Sequence, residues 1–235
     1  MIYQPKMRSL NCIVTGASSG IGKSISLELS KFAKHIYIIA RNIKKLEEVN
    51  DEIIDNGCDC TIVPLDLTQE NVIENLSVKV FQKDNVIDIM VLSAGQISEL
   101  SPVDSIDLNK LNDILKINFL CNFRMIRNFH PLLINSENSH LAVISSFKDA
   151  SKEEYWGIYQ PIMTALNELI NIYAMENKNT KIKINVYDPG NVDTRLRESI
   201  MPGESKDGIR SPKEVAIKIV DYILQGKTSG RFIKI

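Results

Sequence analysis

The sequence predicts an α/β protein in which about seven mostly parallel strands form one doubly wound sheet with helices on both faces. Short, nearly continuous apolar runs alternate with longer helical patterns along the whole chain, and this alternation is typical of right-handed strand–helix–strand units. Continuous apolar runs are expected where parallel strands are buried on both faces. The predicted strands are NCIVT (11–15), HIYIIA (35–40), CTIVPL (60–65), IDIMVLS (87–93), HLAVIS (140–145), KINVY (183–187) and RFIKI (231–235). The helical patterns lie around residues 21–33, 43–56, 69–82, 108–134, 157–177 and 212–225.

Length and composition favour one domain spanning residues 1–235. Of the 235 residues, 44% are hydrophobic and 24% are charged, and the formal net charge is −1. This composition suits a globular core. Because the net charge is close to zero, we expect no nucleic acid and no membrane surface as a partner.

The cysteines and the N-terminus indicate a cytoplasmic protein. Residues 1–16 lack the apolar core of a signal peptide, and no apolar run is long enough to span a bilayer. The four cysteines and three histidines lack the spacing of a metal site. We therefore expect reduced thiols and no bound metal.

Residues 188–211 form the one long connection without clear periodicity. This segment is rich in proline, glycine, serine and charged residues. Long connections in compact domains are usually functional or mobile, so we interpret it as a substrate lid within the single domain.

A glycine-rich segment, TGASSGIG (15–22), joins the first predicted strand to the first helix. Glycines at this junction let the backbone turn tightly and leave helix N-terminal amides free to bind phosphate. The alternative is a plain turn, but the position between strand and helix favours a dinucleotide site. Its predicted contacts are Gly16, Ser18, Ser19, Gly20, Ile21 and Gly22.

Two residues after the next strands are candidates for the adenosine end of a dinucleotide. Arg41 follows the second strand, where an acidic residue would bind a ribose 2′-hydroxyl. A cation there favours the 2′-phosphate of NADP(H), with NAD(H) possible; the alternative is a solvated arginine. Asp66 follows the third strand and could accept from the adenine amino group, cap the following helix, or both.

These residues, with four further motifs, make the chain resemble the short-chain dehydrogenase/reductase family over essentially its whole length, and the resemblance implies a Rossmann-type fold. TGASSGIG matches the cofactor motif of the family. LSAG (92–95) is similar to its Asn-Asn-Ala-Gly motif, with both asparagines replaced, and supplies Ala94 and Gly95. The segment DPGNVDT (188–194) resembles the part after strand six that reaches the nicotinamide, and supplies Pro189, Gly190 and Thr194.

The same resemblance implies three catalytic residues. KINFL supplies Asn118 where the family has an active-site asparagine, and Ser146 precedes Tyr159 by 13 positions, the spacing usual for the serine and tyrosine of the family. Read without the resemblance, a serine at a strand's carboxyl end can hydrogen-bond a carbonyl, and a nearby tyrosine can exchange a proton with it. The alternatives are a strand-end serine and a packed tyrosine, or Ser145 and Tyr155 in their place.

Met163 departs from the family, which has a lysine four residues after the tyrosine. That lysine holds the nicotinamide ribose, and its charge favours the phenolate, whereas methionine offers neither donor nor charge. A free tyrosine has a pKa of about 10, so Tyr159 should stay protonated near neutral pH. A phenol suits carbonyl reduction better than alcohol oxidation.

We therefore expect an NADP(H)-dependent oxidoreductase that reduces a small-molecule carbonyl, with Tyr159 donating the proton and Ser146 polarising the carbonyl. The alternative is a family member that binds cofactor but is catalytically impaired, acting as a redox sensor or partner subunit. The resemblance implies a homodimer or homotetramer, built through helices 108–130 and 157–177. We expect the substrate pocket to be lined by Gln96, Phe147, Lys148, Glu154, Tyr155 and Asn191.

Overall fold

The computed structural model of the protein describes residues 9–146, 154–226 and 228–235. Within them, seven strands form one all-parallel sheet in the order β3-β2-β1-β4-β5-β6-β7. The strands are β1 (Leu10–Thr15), β2 (Ala33–Ala40), β3 (Asp59–Pro64), β4 (Ile89–Leu92), β5 (His140–Ile144), β6 (Lys183–Asp188) and β7 (Arg231–Lys234). The predicted Rossmann-type doubly wound sheet is confirmed.

Helices connect the strands and cover both faces of the sheet. They are α1 (Gly20–Leu29), α2 (Ile43–Asp55), α3 (Val72–Lys83), α4 (Leu108–Leu115), α5 (Cys121–Ile134), α6 (Tyr159–Glu176), α7 (Arg195–Glu198) and α8 (Pro212–Gln225). A 3₁₀ turn covers Val103–Ser105, and a π-helical turn, Lys116–Leu120, joins α4 to α5. No helix in the described part of the chain is long and apolar enough to cross a membrane.

The sheet separates two hydrophobic clusters because successive side chains of a strand point to opposite faces. Ile13 of β1 packs into the cluster beneath α3, α5 and α6, whereas its neighbours Cys12 and Val14 pack into the cluster beneath α1, α2 and α8. All three side chains are completely buried. This two-sided burial explains why the strands read as continuous apolar runs.

The strand order reverses between β1 and β4, since β2 and β3 lie on one side of β1 and the later strands lie on the other. In open α/β sheets, ligands bind beyond the carboxyl ends of the strands at such a reversal. The segments that follow β1, β2, β3, β4, β5 and β6 therefore meet at one edge of the sheet.

The structure differs from the predicted elements in three places. The helix predicted over 108–134 is interrupted by the π turn, in which the Cys121 amide donates to the Lys116 carbonyl five residues back. Helix α3 begins at Val72 rather than near residue 69, because the Gln69 amide closes a separate turn on the Asp66 carbonyl. The segment 188–211 contains the short helix α7 and a bridge between Val192 and Arg210.

Candidate active site

The loop between β1 and α1 packs so tightly that two of its glycines leave no room for a side chain. Gly16 has φ +69°, and a Cβ on it would lie 2.8 Å from the Ser93 carbonyl oxygen. A Cβ on Gly22 would lie 2.4 Å from the Gly16 carbonyl oxygen. The loop thus folds against the segment after β4, with its backbone exposed to the crevice. This close packing is consistent with the predicted dinucleotide loop.

Helix α1 begins at Gly20 without a side-chain cap. Its N-cap residue, Ser19, is extended and accepts no capping hydrogen bond, and no acidic residue lies in the first turn. The first amides of a helix lack partners within the helix, and the helix dipole places partial positive charge there. Together with the neighbouring Ser18 and Ile21, this helix end fits a diphosphate.

Arg41 and Asp66 lie after β2 and β3, at the carboxyl edge of the sheet. Arg41 is exposed. Hydrogen bonds from the Thr68 amide and hydroxyl, at 3.0 and 2.7 Å, lower the pKa of Asp66, and the positive charge of Arg41 lowers it further. The predicted role of Asp66 as a cap of the following helix is wrong, because α3 begins later, with Asn71 as its N-cap.

Asn118 fixes the segment that follows β4. It is 2% exposed, and its carboxamide makes two 2.8 Å hydrogen bonds to one residue: the Gln96 amide donates to Oδ1, and Nδ2 donates to the Gln96 carbonyl. A Cβ on Gly95 would lie 3.3 Å from Asn118 Oδ1. On the other side, the Thr15 hydroxyl accepts from the amides of Ser93 and Ala94, at 3.1 Å each.

The π turn places Asn118 at this position. Asn122, one turn later, is buried and donates from Nδ2 to the Asn118 carbonyl oxygen at 2.6 Å. The widened turn frees a carbonyl from the regular helical ladder, and this side chain supplies the missing donor. The Asn118 side chain therefore acts on the backbone of Gln96 rather than pointing at an open space.

Tyr159 and Ser146 lie together at the carboxyl end of the sheet. Tyr159 is the first residue of α6, and Ser146 follows β5. Burial raises the pKa of Tyr159, interaction with the Ser146 hydroxyl lowers it, and the negative charge of Asp188 raises it. The Ser146 Oγ is buried and has no hydrogen bond of good geometry within the described residues. An unsatisfied hydroxyl beside a phenol can bind a carbonyl oxygen.

The two alternative residues are placed differently. The Ser145 hydroxyl donates to Asn167 Oδ1 at 2.6 Å in a buried contact, so its proton is already committed. Tyr155 is 52% exposed and has φ +73°. The geometry therefore favours Ser146 and Tyr159 over their neighbours.

Met163 lies one turn after Tyr159 and belongs to the hydrophobic cluster beneath α6. It is 5% exposed and packs in that cluster with Val143, Leu166 and Val186. Pro161, between the two residues, lies in the first turn of the helix, where proline is tolerated. The position at which the resemblance implies a lysine is therefore part of the core in this structure.

The segment after β6 closes the crevice opposite the glycine-rich loop. A Cβ on Gly20 would lie 3.4 Å from the methyl carbon of Thr194. Gly190 has φ +62°, and the Pro189 carbonyl accepts from Arg210 Nη2 at 2.7 Å. The Thr194 hydroxyl caps α7. The glycine-rich loop and the segment 188–211 thus approach to contact distance at Gly20 and Thr194.

Two features of the site are absent from the sequence prediction. The first is Asp188, an acidic residue that is 8% exposed at the end of β6. The second is a cleft of about 360 Å³ between the segment after β4, helix α4 and the segment 188–211. It is lined by Gln96, Ile97, Ser98, Glu99, Lys110, Asp113, Ile114, Ser199 and Ile200. Of the predicted pocket residues, Gln96 lines this cleft, whereas Glu154, Tyr155 and Asn191 do not. Phe147 and Lys148 lie outside the described residues.

Comparison with known proteins supports the assignment of the chain to the short-chain dehydrogenases. The family model for short chain dehydrogenase matches residues 11–205. An uncharacterised oxidoreductase of Escherichia coli K12, YciK, is 26% identical over 222 residues, which cover 92% of this chain and 87% of the relative.

Solved structures share the fold. A structure described as a short chain dehydrogenase of Shigella flexneri 2a, complexed with NADP, has a TM-score of 0.90 at 22% identity and covers 99% of both chains. Another from Escherichia coli CFT073, complexed with NADPH, has a TM-score of 0.88 at 23% identity, covering 99% of this chain and 98% of the other.

Proposed function

We propose that this chain, which belongs to the short-chain dehydrogenase family of oxidoreductases, reduces a carbonyl group of a small molecule with NADPH. The observation that carries the proposal is that Tyr159 lies near the buried Ser146 hydroxyl at the carboxyl end of the sheet, and that this hydroxyl makes no hydrogen bond of good geometry within the described residues. A proton donor and a carbonyl-binding group lie side by side there, beyond the strand reversal where α/β sheets bind ligands.

The residues of the crevice suit NADP(H) as the cofactor. The uncapped start of α1 and the backbone of the glycine-rich loop would hold the diphosphate. Arg41, exposed beside Asp66, would pair with a 2′-phosphate, and Asp66 would accept from the adenine. The two structural relatives complexed with NADP or NADPH are consistent with this choice. The segment from Pro189 to Thr194 would close over the nicotinamide end.

The chain itself supplies binding, orientation and a proton. When bound, NADPH supplies the hydride. The Ser146 hydroxyl would donate to the carbonyl oxygen of the substrate, and Tyr159 would transfer its phenolic proton to the same oxygen as the alcohol forms. Asn118 would act at one remove, because its carboxamide holds the backbone of Gln96, which lines the cleft beside helix α4. It is a positioning residue in this account.

A second candidate function rests on Met163. Its place in the hydrophobic cluster leaves no cation one turn after Tyr159, so ribose binding and proton transfer would both be weakened. The chain would then bind NADP(H) with little turnover and act as a redox sensor or as a partner subunit of an active enzyme.

Two measurements separate these functions. Turnover of NADPH with a panel of aldehydes and ketones supports the reductase, and its absence in protein that binds NADPH tightly supports the binding function. A fluorescence titration with NADPH is the second measurement. Failure to bind either NADPH or NADH would contradict both functions.

We further propose that the chain forms a homo-oligomer, that residues 188–211 are a substrate lid, and that the protein is cytoplasmic. Large apolar side chains are exposed around α4, α5 and α6, and they would be covered in a homodimer or homotetramer; they are Val103, Leu108, Phe123, Ile172 and Met175. Residues 188–211 would act as the substrate lid of one domain. None of the four cysteines forms a disulfide in the described structure, which suits the reducing cytoplasm.

A further inference from the structure

Helix α6 has one polar residue among the side chains that it buries. Asn167 is 6% exposed, and the other buried residues of this helix are apolar: Ile162, Met163, Leu166, Ile170 and Ala174. Burying a carboxamide in such surroundings is costly unless its oxygen and its nitrogen are both hydrogen-bonded. Asn167 therefore needs hydrogen-bond partners from another part of the fold.

The Asn167 carboxamide binds the two consecutive residues that follow β5. The Ser145 hydroxyl donates to Oδ1 at 2.6 Å, and Nδ2 donates to the Ser146 carbonyl oxygen at 3.2 Å. A carbonyl can only accept a hydrogen bond, so the nitrogen must face Ser146, and the oxygen then faces the Ser145 hydroxyl. The orientation of the carboxamide is thus fixed by its partners, and both of its polar atoms are satisfied.

The hydrogen bond to Ser146 lies just beyond the point at which the pairing of the strands ends. Ile144 pairs with Tyr187 in the register of β5 and β6, and the Ser145 amide donates to the Tyr187 carbonyl at 3.0 Å. Ser146 is the next residue, and Asn167 binds its carbonyl. Helix α6 therefore supports this backbone where the support of the sheet ends.

Helix α6 also carries the side chain that lies near the Ser146 hydroxyl. This side chain belongs to Tyr159, the first residue of the helix. Asn167 follows it by eight positions, and residues at this spacing belong to the same face of a helix. One helix thus carries both the phenol beside the serine hydroxyl and the carboxamide that holds the serine backbone.

We propose that Asn167 is a positioning residue of the reaction, which holds the Ser146 backbone against α6 and so keeps the Ser146 hydroxyl beside the Tyr159 phenol. This inference rests on the proposed function, in which both groups act on one carbonyl oxygen. Their separation matters because a misplacement of about 1 Å can lower a rate by about 10²-fold. A buried polar contact whose members are all satisfied makes such a segment rigid.

Asn167→Leu tests the proposal because leucine has nearly the volume of asparagine and makes neither hydrogen bond. In this variant, kcat for carbonyl reduction at saturating NADPH should fall by about tenfold or more. The Kd for NADPH should not change, since the predicted cofactor contacts do not include Asn167 or its two partners. Asn167→Ala, which removes the same two hydrogen bonds, takes its place if the leucine variant does not fold.

Asn177→Leu is the matched control, at the other end of the same helix. Asn177 is also 6% exposed, directly follows α6, and donates from Nδ2 to the Tyr173 carbonyl at 2.9 Å. Chemical denaturation should show a loss of stability in both variants, whereas kcat should fall only in Asn167→Leu. An unchanged kcat in Asn167→Leu, or an equal loss of kcat in both variants, overturns the proposal.

A double-mutant cycle with Ser146→Ala identifies the group through which Asn167 acts. If Asn167 acts through the Ser146 hydroxyl, its substitution matters only while that hydroxyl is present. Asn167→Leu should therefore lower kcat in the wild type and change it by less than about twofold in the Ser146→Ala protein. Equal fold losses in the two backgrounds would indicate general damage to the site and contradict the proposal.

Crystal structures of the variants separate this proposal from the proposed function. In Asn167→Leu, the distance between Ser146 Oγ and the phenolic oxygen of Tyr159 should differ from the wild-type distance by about 1 Å or more. In Asn177→Leu, it should match the wild type. If the wild type reduces no carbonyl but the distance changes in Asn167→Leu, the reductase function fails and the assignment of Asn167 stands. An unchanged distance contradicts the assignment even in an active enzyme.

Discussion

The carboxamide of Asn118 binds both backbone polar groups of Gln96, at 2.8 Å each. This pair of hydrogen bonds joins the π turn between α4 and α5 to the segment after β4. Gln96 in turn lines the cleft of about 360 Å³ beside helix α4. A buried side chain thus determines the shape of one wall of the site.

Replacing Asn118 should affect both stability and catalysis. Asn118→Leu has nearly the same volume but leaves the Gln96 amide and carbonyl unsatisfied, which should lower the free energy of unfolding by about 2 kcal/mol. The KM for the carbonyl substrate should rise as the cleft wall loosens. Chemical denaturation and steady-state kinetics measure the two effects. Asn112→Leu, a change of the same type in α4, is the control. An equal loss of stability in this control would contradict the specific role of Asn118.

Arg41 should discriminate between the two nicotinamide cofactors. A charge-assisted hydrogen bond contributes about 1.5–3 kcal/mol, so Arg41→Ala should weaken NADPH binding by at least about tenfold while leaving NADH binding nearly unchanged. Titration calorimetry with both cofactors measures this. Lys44→Ala, which removes an exposed cation of the adjacent helix α2, should change neither value. Equal affinities of the wild type for the two cofactors would remove Arg41 from the site.

Met163→Lys should return a cation to the face of α6 that carries Tyr159, because residues four apart lie on one side of a helix. The expected result is a gain in alcohol oxidation, with its pH optimum moving toward neutrality, and a smaller gain in reduction. Each unit by which the pKa of Tyr159 falls corresponds to about 1.4 kcal/mol. The rates in both directions are measured across pH.

Because Met163 is buried, the Met163→Lys substitution introduces a charged side chain into the hydrophobic cluster. A lysine in the hydrophobic cluster must extend its ammonium to the crevice, since a buried unpaired charge is costly. Met163→Leu, which keeps the packing and adds no charge, is the control for the change of shape. A folded, cofactor-saturated Met163→Lys protein without activity in either direction would favour the cofactor-binding function over the reductase.

The main elements of the fold could be predicted because hydrophobic clusters cover both faces of the sheet, so that its strands are continuous apolar runs. A buried parallel strand such as β5 contains almost no polar residue, and the glycine-rich loop marks the junction of β1 and α1. The π turn could not be predicted, since Lys116–Leu120 has the same apolar spacing as the helices on either side. The Asn118 side chain within this turn contacts Gln96, which lies 22 residues earlier in the chain.

The candidate site was predictable in part. Spacing favoured Ser146 over Ser145, and the structure adds the reason, since Asn167 engages the Ser145 hydroxyl. Sequence alone could not show that Met163 faces the core. Whether a helix position is buried depends on the elements that pack against it. The burial of Asp188, which is 8% exposed, could not be read from the sequence either, because it depends on how β6 packs within the sheet.

The central claim, that Tyr159 donates the proton in an NADPH-dependent reduction, is tested most directly by Tyr159→Phe. This change removes one oxygen, so the fold and the affinity for NADPH should persist. We predict that kcat for carbonyl reduction falls by about 10²-fold or more in Tyr159→Phe. In Tyr155→Phe, kcat should stay at the wild-type value. Full activity in Tyr159→Phe, or a comparable loss in Tyr155→Phe, would contradict it.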